Sequence, residues 1–307
     1  MKHVTIVALT ACVSLFSGSV YAQGPDPSQV QIRTTDLGHN VYMLQGGGGN
    51  VAIAVGSDGV IMVDAQFAPM HDKLKAAIAN VTNQPIKYLV NTHFHGDHTG
   101  GNESFAKDGV TIASHQNLAV RLDRGSTDGL TGMVRMPAPK AAIPTKTYTT
   151  EGLQLMVTGQ AALINHPTSA HTDTDSYVYF PAANVIVTGD IVSIGERYVI
   201  IDYANGGSIS GTIAMVETFI KMGNDQTKYV PGHGPLSSRA DLQRFHDMLV
   251  SVRDAVQAEI KAGKTEEQAL AAKPLAAIGA PMHTTPMADD NMVKMVYRSL
   301  TGVGGKR

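Results

Sequence analysis

Short apolar runs separated by turn residues open the chain. Val41 to Leu44, Val51 to Val55 and Val60 to Val63 read as strands. Between them stand Gly46-Gly47-Gly48-Gly49 and Ser57-Asp58-Gly59, expected to supply the positive-φ residues that two hairpin turns need. The spacing then lengthens to three and four residues: Leu74, Ala77, Ile78 and Val81 predict a helix from Pro69 to Val81, followed by a strand from Ile86 to Val90.

Further on, Leu153 to Val157, Ala161 to Ile164, Tyr177 to Phe180 and Val185 to Thr188 predict strands, Ile209 to Met222 a helix, and Lys228 to Val230 a short strand. The clearest helical stripe is Leu242, Phe245, Leu249, Val252, Val256 and Ile260, closed by Gly263 where a C-terminal cap belongs. Thr265 with Gln268 matches a capping box for one more helix. Arg124 to Pro144 carries three prolines and little apolar periodicity, so it reads as a long surface loop and a wall for a cleft. No linker or internal repeat divides the chain, which predicts one α/β domain over 23–307 with mixed sheets and a C-terminal helical extension.

Residues 1–22 read as a signal peptide. Lys2 supplies positive charge, Val4 to Val20 is mostly apolar, and Val20-Tyr21-Ala22 is a small-residue site that places cleavage after Ala22. The polar linker Gln23 to Ser28 follows. Leu9-Thr10-Ala11-Cys12 matches a lipobox, which keeps a lipoprotein as the second reading. A periplasmic or secreted protein is expected, with no stable membrane insertion after cleavage. Cys12 is the only cysteine and leaves with the signal, so any metal site of the mature chain must rest on His and carboxylates. The apolar fraction of 43% suffices for a sizeable core, and a net charge of −2 with no basic run argues against a nucleic-acid partner. A small-molecule substrate is expected.

Chemistry concentrates in Thr92-His93-Phe94-His95-Gly96-Asp97-His98-Thr99-Gly100-Gly101, where a strand gives way to a glycine-bearing loop. Four potential ligands within six residues suit zinc and other borderline divalent ions, and grouping them on one loop lowers the ordering cost of a site. The glycines are expected to turn the backbone so that alternate side chains face two ions. Asp190 follows the run Val185 to Thr188, and His233 follows Lys228 to Val230, so each is expected to emerge at a strand end.

The pattern His-x-His-x-Asp-His after a strand resembles the signature of the metallo-β-lactamase superfamily. Ala170-His171-Thr172-Asp173-Thr174-Asp175, Thr188-Gly189-Asp190 and Pro231-Gly232-His233-Gly234-Pro235 resemble three further motifs of that family, in order. The resemblance covers roughly residues 38–236 and implies a four-layer αββα sandwich of two mixed β-sheets with metals at one sheet edge. It implies that His93, His95 and His171 bind a first ion, that Asp97, His98 and His233 bind a second, and that Asp190 bridges them. Two zinc ions are the expected cofactors, with iron or manganese as alternatives. A water shared between such ions falls in pKa from 15.7 toward ~7, which gives a hydroxide nucleophile at neutral pH. Asp97 is the candidate to orient that nucleophile and relay its proton. Asp175, four residues after His171, is a candidate support for the ligand loop, with a surface turn as the equal alternative.

His166 is read as packing, and His39, His71, His115, His246 and His283 as residues without ligand spacing. Arg197 to Tyr203 follows Asp190 closely and offers Tyr198, Asp202 or Tyr203 to the cleft. Family β-lactamases usually carry Cys or Ser where this chain has Asp190. Export disfavours the branches with cytosolic substrates, and His95 replaces the Glu of oxygen-reducing diiron relatives. The expected activity is therefore metal-dependent hydrolysis of a small ester, lactone, thioester or cyclic amide. A β-lactamase is the alternative, followed by a mononuclear-iron persulfide dioxygenase and a non-catalytic metal-binding protein.

Overall fold

The computed structural model describes residues 26–195, 198–278 and 286–303. The expected signal peptide, Cys12, Arg197 and His283 lie outside them.

Two sheets are stacked face to face. The first has seven strands in the spatial order Arg33–Gly38, Val41–Gln45, Val51–Val55, Val60–Val63, Ile86–Val90, Thr111–His115, Lys146–Tyr148. Its first three pairings are antiparallel and its last three parallel. The second has five, Leu153–Val157, Gln160–Asn165, Tyr177–Phe180, Val185–Ser193 and Lys228–His233, antiparallel except for its final parallel pair.

Strand periodicity sorts the apolar residues into three layers. From Val60–Val63, Ile61 and Val63 enter the layer between the sheets with Phe180, Val187 and Val230. Val60 and Met62 of the same strand face the other way, against Leu74, Ile78 and Phe105 of the helices His71–Ala79 and Asn102–Lys107. Because both faces are covered, that strand is buried at every position and reads as an unbroken apolar run. On the far side, the helices Ile209–Met222, Arg239–Lys261 and Pro286–Thr301 cover the second sheet through Ile213, Phe219, Leu249, Val252 and Val296. The result is the expected αββα sandwich. No helix among the described residues is long and apolar enough to cross a membrane.

Several local expectations need correction. The helix expected over 69–81 is a 3-10 turn, Ala68–Met70, running into His71–Ala79. Of the Gly46 to Gly49 run only Gly48 has positive φ, and Gly59 does not; the tight turn is instead Gly38-His39-Asn40, all three left-handed. The segment Arg124 to Pro144 is not featureless, since Ser126–Thr127 and Val134–Arg135 pair as a small ribbon and Lys140–Ala142 forms a 3-10 turn. The stripe after Leu242 forms Arg239–Lys261, with Gly263 at positive φ beyond it, and Thr265 with Gln268 makes the capping box.

Phe180 is fully buried between the sheets. Phe180→Ala should remove about 3–5 kcal/mol of stability, read from the denaturation midpoint of the full chain; a loss below about 1 kcal/mol would contradict this packing.

Candidate metal centre

All seven candidate ligands meet at one edge of the sandwich. His93, His95, Asp97 and His98 follow the strand Ile86–Val90, and His171 lies on the loop between Gln160–Asn165 and Tyr177–Phe180. The loop that carries the first four is not turned by positive-φ glycines as expected: Gly96–Thr99 is a short helical turn, and neither Gly96, Gly100 nor Gly101 has positive φ. Gly100 and Gly101 matter instead for closeness, since a Cβ there would meet Gly96 O and Ala65 O at 2.6 Å. Asp190 is inside the strand Val185–Ser193 rather than at its end. It emerges at a register irregularity beside Gly189, whose φ is +54°. His233 does close its strand, Lys228–His233.

Across the edge the two sheets are tied by backbone and amide contacts. Asn50 Nδ2 donates to Pro231 O at 2.8 Å, Asn50 N to Gly232 O at 2.7 Å, and Ser176 N to Thr92 O at 2.6 Å. Two glycines allow this closeness: a Cβ on Gly49 would stand 2.1 Å from His98 Cε1, and one on Gly232 would stand 1.9 Å from Asp190 Oδ1.

The ligand atoms fall into two groups, His93 with His95, His171 and Asp190, and Asp97 with His98 and His233; within each group they lie within 4.8 Å of one another. His171 Nε2 is 3.0 Å from His95 Nδ1. Asp190 serves both groups, with Oδ2 3.7 Å from His93 Nε2 and from His171 Nε2 and Oδ1 3.1 Å from His98 Nε2. His233 Nε2 is 3.0 Å from Asp97 Oδ2.

The outward nitrogens explain why the inward ones present lone pairs. His171 Nδ1 is 2.7 Å from Ile200 O, which can only accept, so that nitrogen carries the proton and Nε2 is left bare. His95 Nε2 is 3.0 Å from Asp202 Oδ2, and His98 Nδ1 is 2.7 Å from Asp64 Oδ2. Carboxylates behind ring nitrogens fix tautomer and orientation as they do around bound metals.

Burial, then the adjoining His98 ring, holds His93 well below the usual imidazole range. Burial, then His95, brings His171 down to about 4. In the second group burial opposes charge but the carboxylates win. Asp190, Asp64 and Asp97 raise His98 well above its ordinary value, and Asp190 and Asp97 raise His233 to about 9. Burial also works against the Asp97 anion, yet His98 and His233 hold its carboxyl at about 2.

A cation fits this donor set. His93 Nε2 and Asp190 Oδ1 are buried and have no hydrogen-bond partner among the described residues, the latter lying near His98 without hydrogen-bond alignment. The buried Asp190 carboxylate facing the neutral rings of His93 and His171 through Oδ2 is unfavourable unless a positive charge satisfies both.

Asp64 and Asp202 support the site from behind. Asp64 escaped the sequence reading, although it is a carboxylate directly after the apolar strand Val60–Val63. It is buried at φ +64° and also accepts from Thr92 N and Thr92 Oγ1, both at 2.7 Å. Asp202 was one of three residues offered to the cleft. The other two line the same recess as Asp202, with Tyr198 OH bonded to Asp289 and Tyr203 OH donating to Gly129 O. Asp175 is buried, not in a surface turn. It accepts from Thr172 N and, at 2.6 Å, from Thr172 Oγ1, which braces the His171 loop, and burial pushes its carboxyl up to about 7.

His166 packs as expected, stacked on His115 with centroids 3.6 Å apart and its Nδ1 2.6 Å from Asp175 O. His71 pairs with Asp72 and Asp108, and His246 with Glu217 and Asp247, away from the seven.

Comparison with known proteins agrees with this architecture. The sequence model described as the metallo-beta-lactamase superfamily matches residues 34–236, a span that contains every candidate ligand. The alpha subunit of 2,4-dinitroanisole O-demethylase from Nocardioides sp. (strain JS1661) is 26% identical over 253 residues, covering 79% of this chain and 72% of that one. Among solved structures, a metallo-beta-lactamase from Pontibacter korlensis superposes with a TM-score of 0.57 at 18% identity, covering 72% of this chain and 99% of that one. The stereoselective inverting sec-alkylsulfatase from Pseudomonas sp. gives 0.65 at 15% identity over 89% of this chain, which spans only 50% of that enzyme. At such identities the structures share the fold alone, while the match across 34–236 places this chain in the metallo-beta-lactamase superfamily, a superfamily of metal-dependent hydrolases.

Proposed function

We propose that this chain is an exported dinuclear metallohydrolase that cleaves a small ester, lactone, thioester or cyclic amide. The observation that carries the reading is the pair of ligand groups sharing Asp190, with inward-facing nitrogens fixed from behind by Asp64, Asp202 and Ile200 O. Two ions, one per group, account for the division of the seven residues. Zinc held there supplies Lewis acidity and a water whose pKa is lowered toward ~7, and iron or manganese suits the same donors.

The chain's own residues set where chemistry takes place. His93, His98 and His171 are at most 1% exposed, whereas the side chains of Asp97 and His233 are 24% and 32% exposed. The open face of the centre is therefore on the Asp97 and His233 side, and the scissile carbonyl approaches from there. Asp97 Oδ2 stays ionised with its carboxyl held at about 2. It is suited to accept a hydrogen bond that orients the attacking water and to pass the released proton outward, not to store it. His95 is held rigid by Asp202 and His171 by Ile200 O, so the inner face resists rearrangement as charge develops on the substrate oxygen. Export rests on the leader-like residues 1–22.

The direct test is metal quantification on the purified mature protein, followed by a panel with and without chelator: a 4-nitrophenyl ester, a lactone, a thioester, nitrocefin and 2,4-dinitroanisole. Two metals per chain with chelator-sensitive ester, lactone or thioester hydrolysis are expected. Turnover of nitrocefin alone would replace the reading with a β-lactamase, and one iron per chain with oxygen consumption on a persulfide would replace it with a dioxygenase.

Asp190→Ala should empty both groups of metal and abolish nearly all turnover, while His246→Ala leaves both unchanged, as read by metal analysis beside initial rates. Asp202→Asn keeps the shape but weakens the hold on His95; metal affinity should fall by about 10–100-fold, measured by competition with a chromogenic chelator. Below about pH 9 the His233 ring carries a proton that a metal must displace, because its neighbours raise it that far. Apparent affinity should thus climb as pH rises from about 6 to 9 and then level off; affinity that falls across this window would contradict the assignment of His233.

A further inference from the structure

A second recess lies beside the metal centre without including any of the seven ligands. It encloses about 960 Å³ between the helix Gln116–Arg124 and the ribbon Ser126–Thr127 with Val134–Arg135. Arg121, Arg124 and Arg135 line it together with Val120, Val134 and Met136.

The three arginines are not equally occupied. Every nitrogen of Arg121 has an acceptor: Nε and Nη2 donate to Asp173, and Nη1 donates to Asn205 Oδ1 at 2.8 Å. The same is not true of Arg135. Its guanidinium is 5.7 Å from the Phe94 ring, and the nearest carboxylate, Asp128 Oδ2, is 3.7 Å from Nη2, beyond hydrogen-bond distance. Asp128 spends Oδ1 on Leu130 N, Thr131 N and Thr131 Oγ1. Arg135 Nη1 is buried and has no acceptor among the described residues. A buried guanidinium N–H without a partner is unfavourable and calls for an acceptor, best an anionic oxygen. Three guanidinium groups here face two carboxylates, Asp128 and Asp173, which leaves one positive charge in excess.

The walls carry the complementary half of the signal. Val120, Val134 and Met136 are 38%, 65% and 78% exposed, and they make up three of the nine exposed large hydrophobics among the described residues. Such clustering in one short segment marks a contact surface rather than scatter.

We propose that this recess binds a small amphiphilic organic anion of the fatty-acid type. Its carboxylate or sulfonate is taken by the part-exposed Arg135 guanidinium, whose nearest carboxylate lies beyond hydrogen-bond distance, with Arg124 beside it, and its apolar body lies on Val120, Val134 and Met136. The site borders the metal centre through Asp173, two residues after His171, through Phe94 and through Asn205. Phe94 stands between His93 and His95, and Asn205 donates at 2.9 Å to Asp202, the carboxylate behind His95.

Fluorescence titration of the metal-loaded full chain with 8-anilinonaphthalene-1-sulfonate, an apolar monoanion, tests this directly, with decanoate, decanol and decyltrimethylammonium as competitors. Saturable binding is expected, displaced by decanoate and not by the cation. Arg135→Gln should raise Kd by about tenfold or more, the scale of a lost charge-assisted hydrogen bond, and Arg135→Lys should recover part of it. Met136→Ser and Arg124→Gln, on exposed side chains, should each raise Kd as well, which keeps the test decisive if Arg135→Gln fails to fold. Chelation should leave Kd unchanged, because no metal ligand lines the recess. An unchanged Kd in all of these variants, or equal displacement by the cation, would overturn the proposal. So would a concentration-dependent dimer that Met136→Ser abolishes with no probe bound, since it would assign the patch to a second copy of the chain.

Discussion

A carboxylate buried among imidazoles is the constraint around which this molecule is arranged. Asp190 sits in a strand that is mostly apolar and buried at every position but its last, and its Oδ1 has no hydrogen-bond donor aligned on it. Its charge persists there only because positive charge lies close, as protons on His98 and His233 or as a bound cation in their place. Gly189 and Gly232 follow from the same requirement, since a side chain at Gly232 would occupy the position of Asp190 Oδ1 and one at Gly189 would strike Thr92.

The sandwich supplies what a flexible loop cannot. Each ligand loop begins or ends on a strand of one of the two stacked sheets, and the loops are joined across the sheet edge by Asn50, Ser176 and the backbone of Gly232. Behind the ligands, Asp64 and Asp202 determine which ring nitrogen faces inward. Asp64 does so from a left-handed backbone position that costs about 1–3 kcal/mol, held because its carboxylate also caps the start of the histidine loop at Thr92. Order in the site is thus generated by hydrogen bonds one layer out.

What could be read from the residues and what could not divides along physical lines. Val60 to Val63 and Val185 to Thr188 stood out because both faces of those strands are buried and all their positions but Thr188 are apolar. Arg33–Gly38 and Lys146–Tyr148 did not, being edge strands whose exposed positions are polar. The seven ligands were legible as motifs, and the structure brings all seven together in the two expected groups. Asp64 was not, because its partnership with His98 spans 34 residues and leaves no local spacing to notice. Asp202 was visible only as a neighbour in the chain, and the arginine recess was visible only as one wall, the segment Arg124 to Pro144, since Phe94, Arg121 and Arg135 become neighbours only in the fold.

The most direct test is crystallographic: anomalous diffraction from the zinc-soaked protein, collected on both sides of the zinc edge. The account predicts two peaks, one about 2.0–2.2 Å from His93 Nε2, His95 Nδ1 and His171 Nε2, the other at similar range from Asp97, His98 and His233, with Asp190 between them. A single peak elsewhere on the surface, with these side chains turned away from it, would contradict the account.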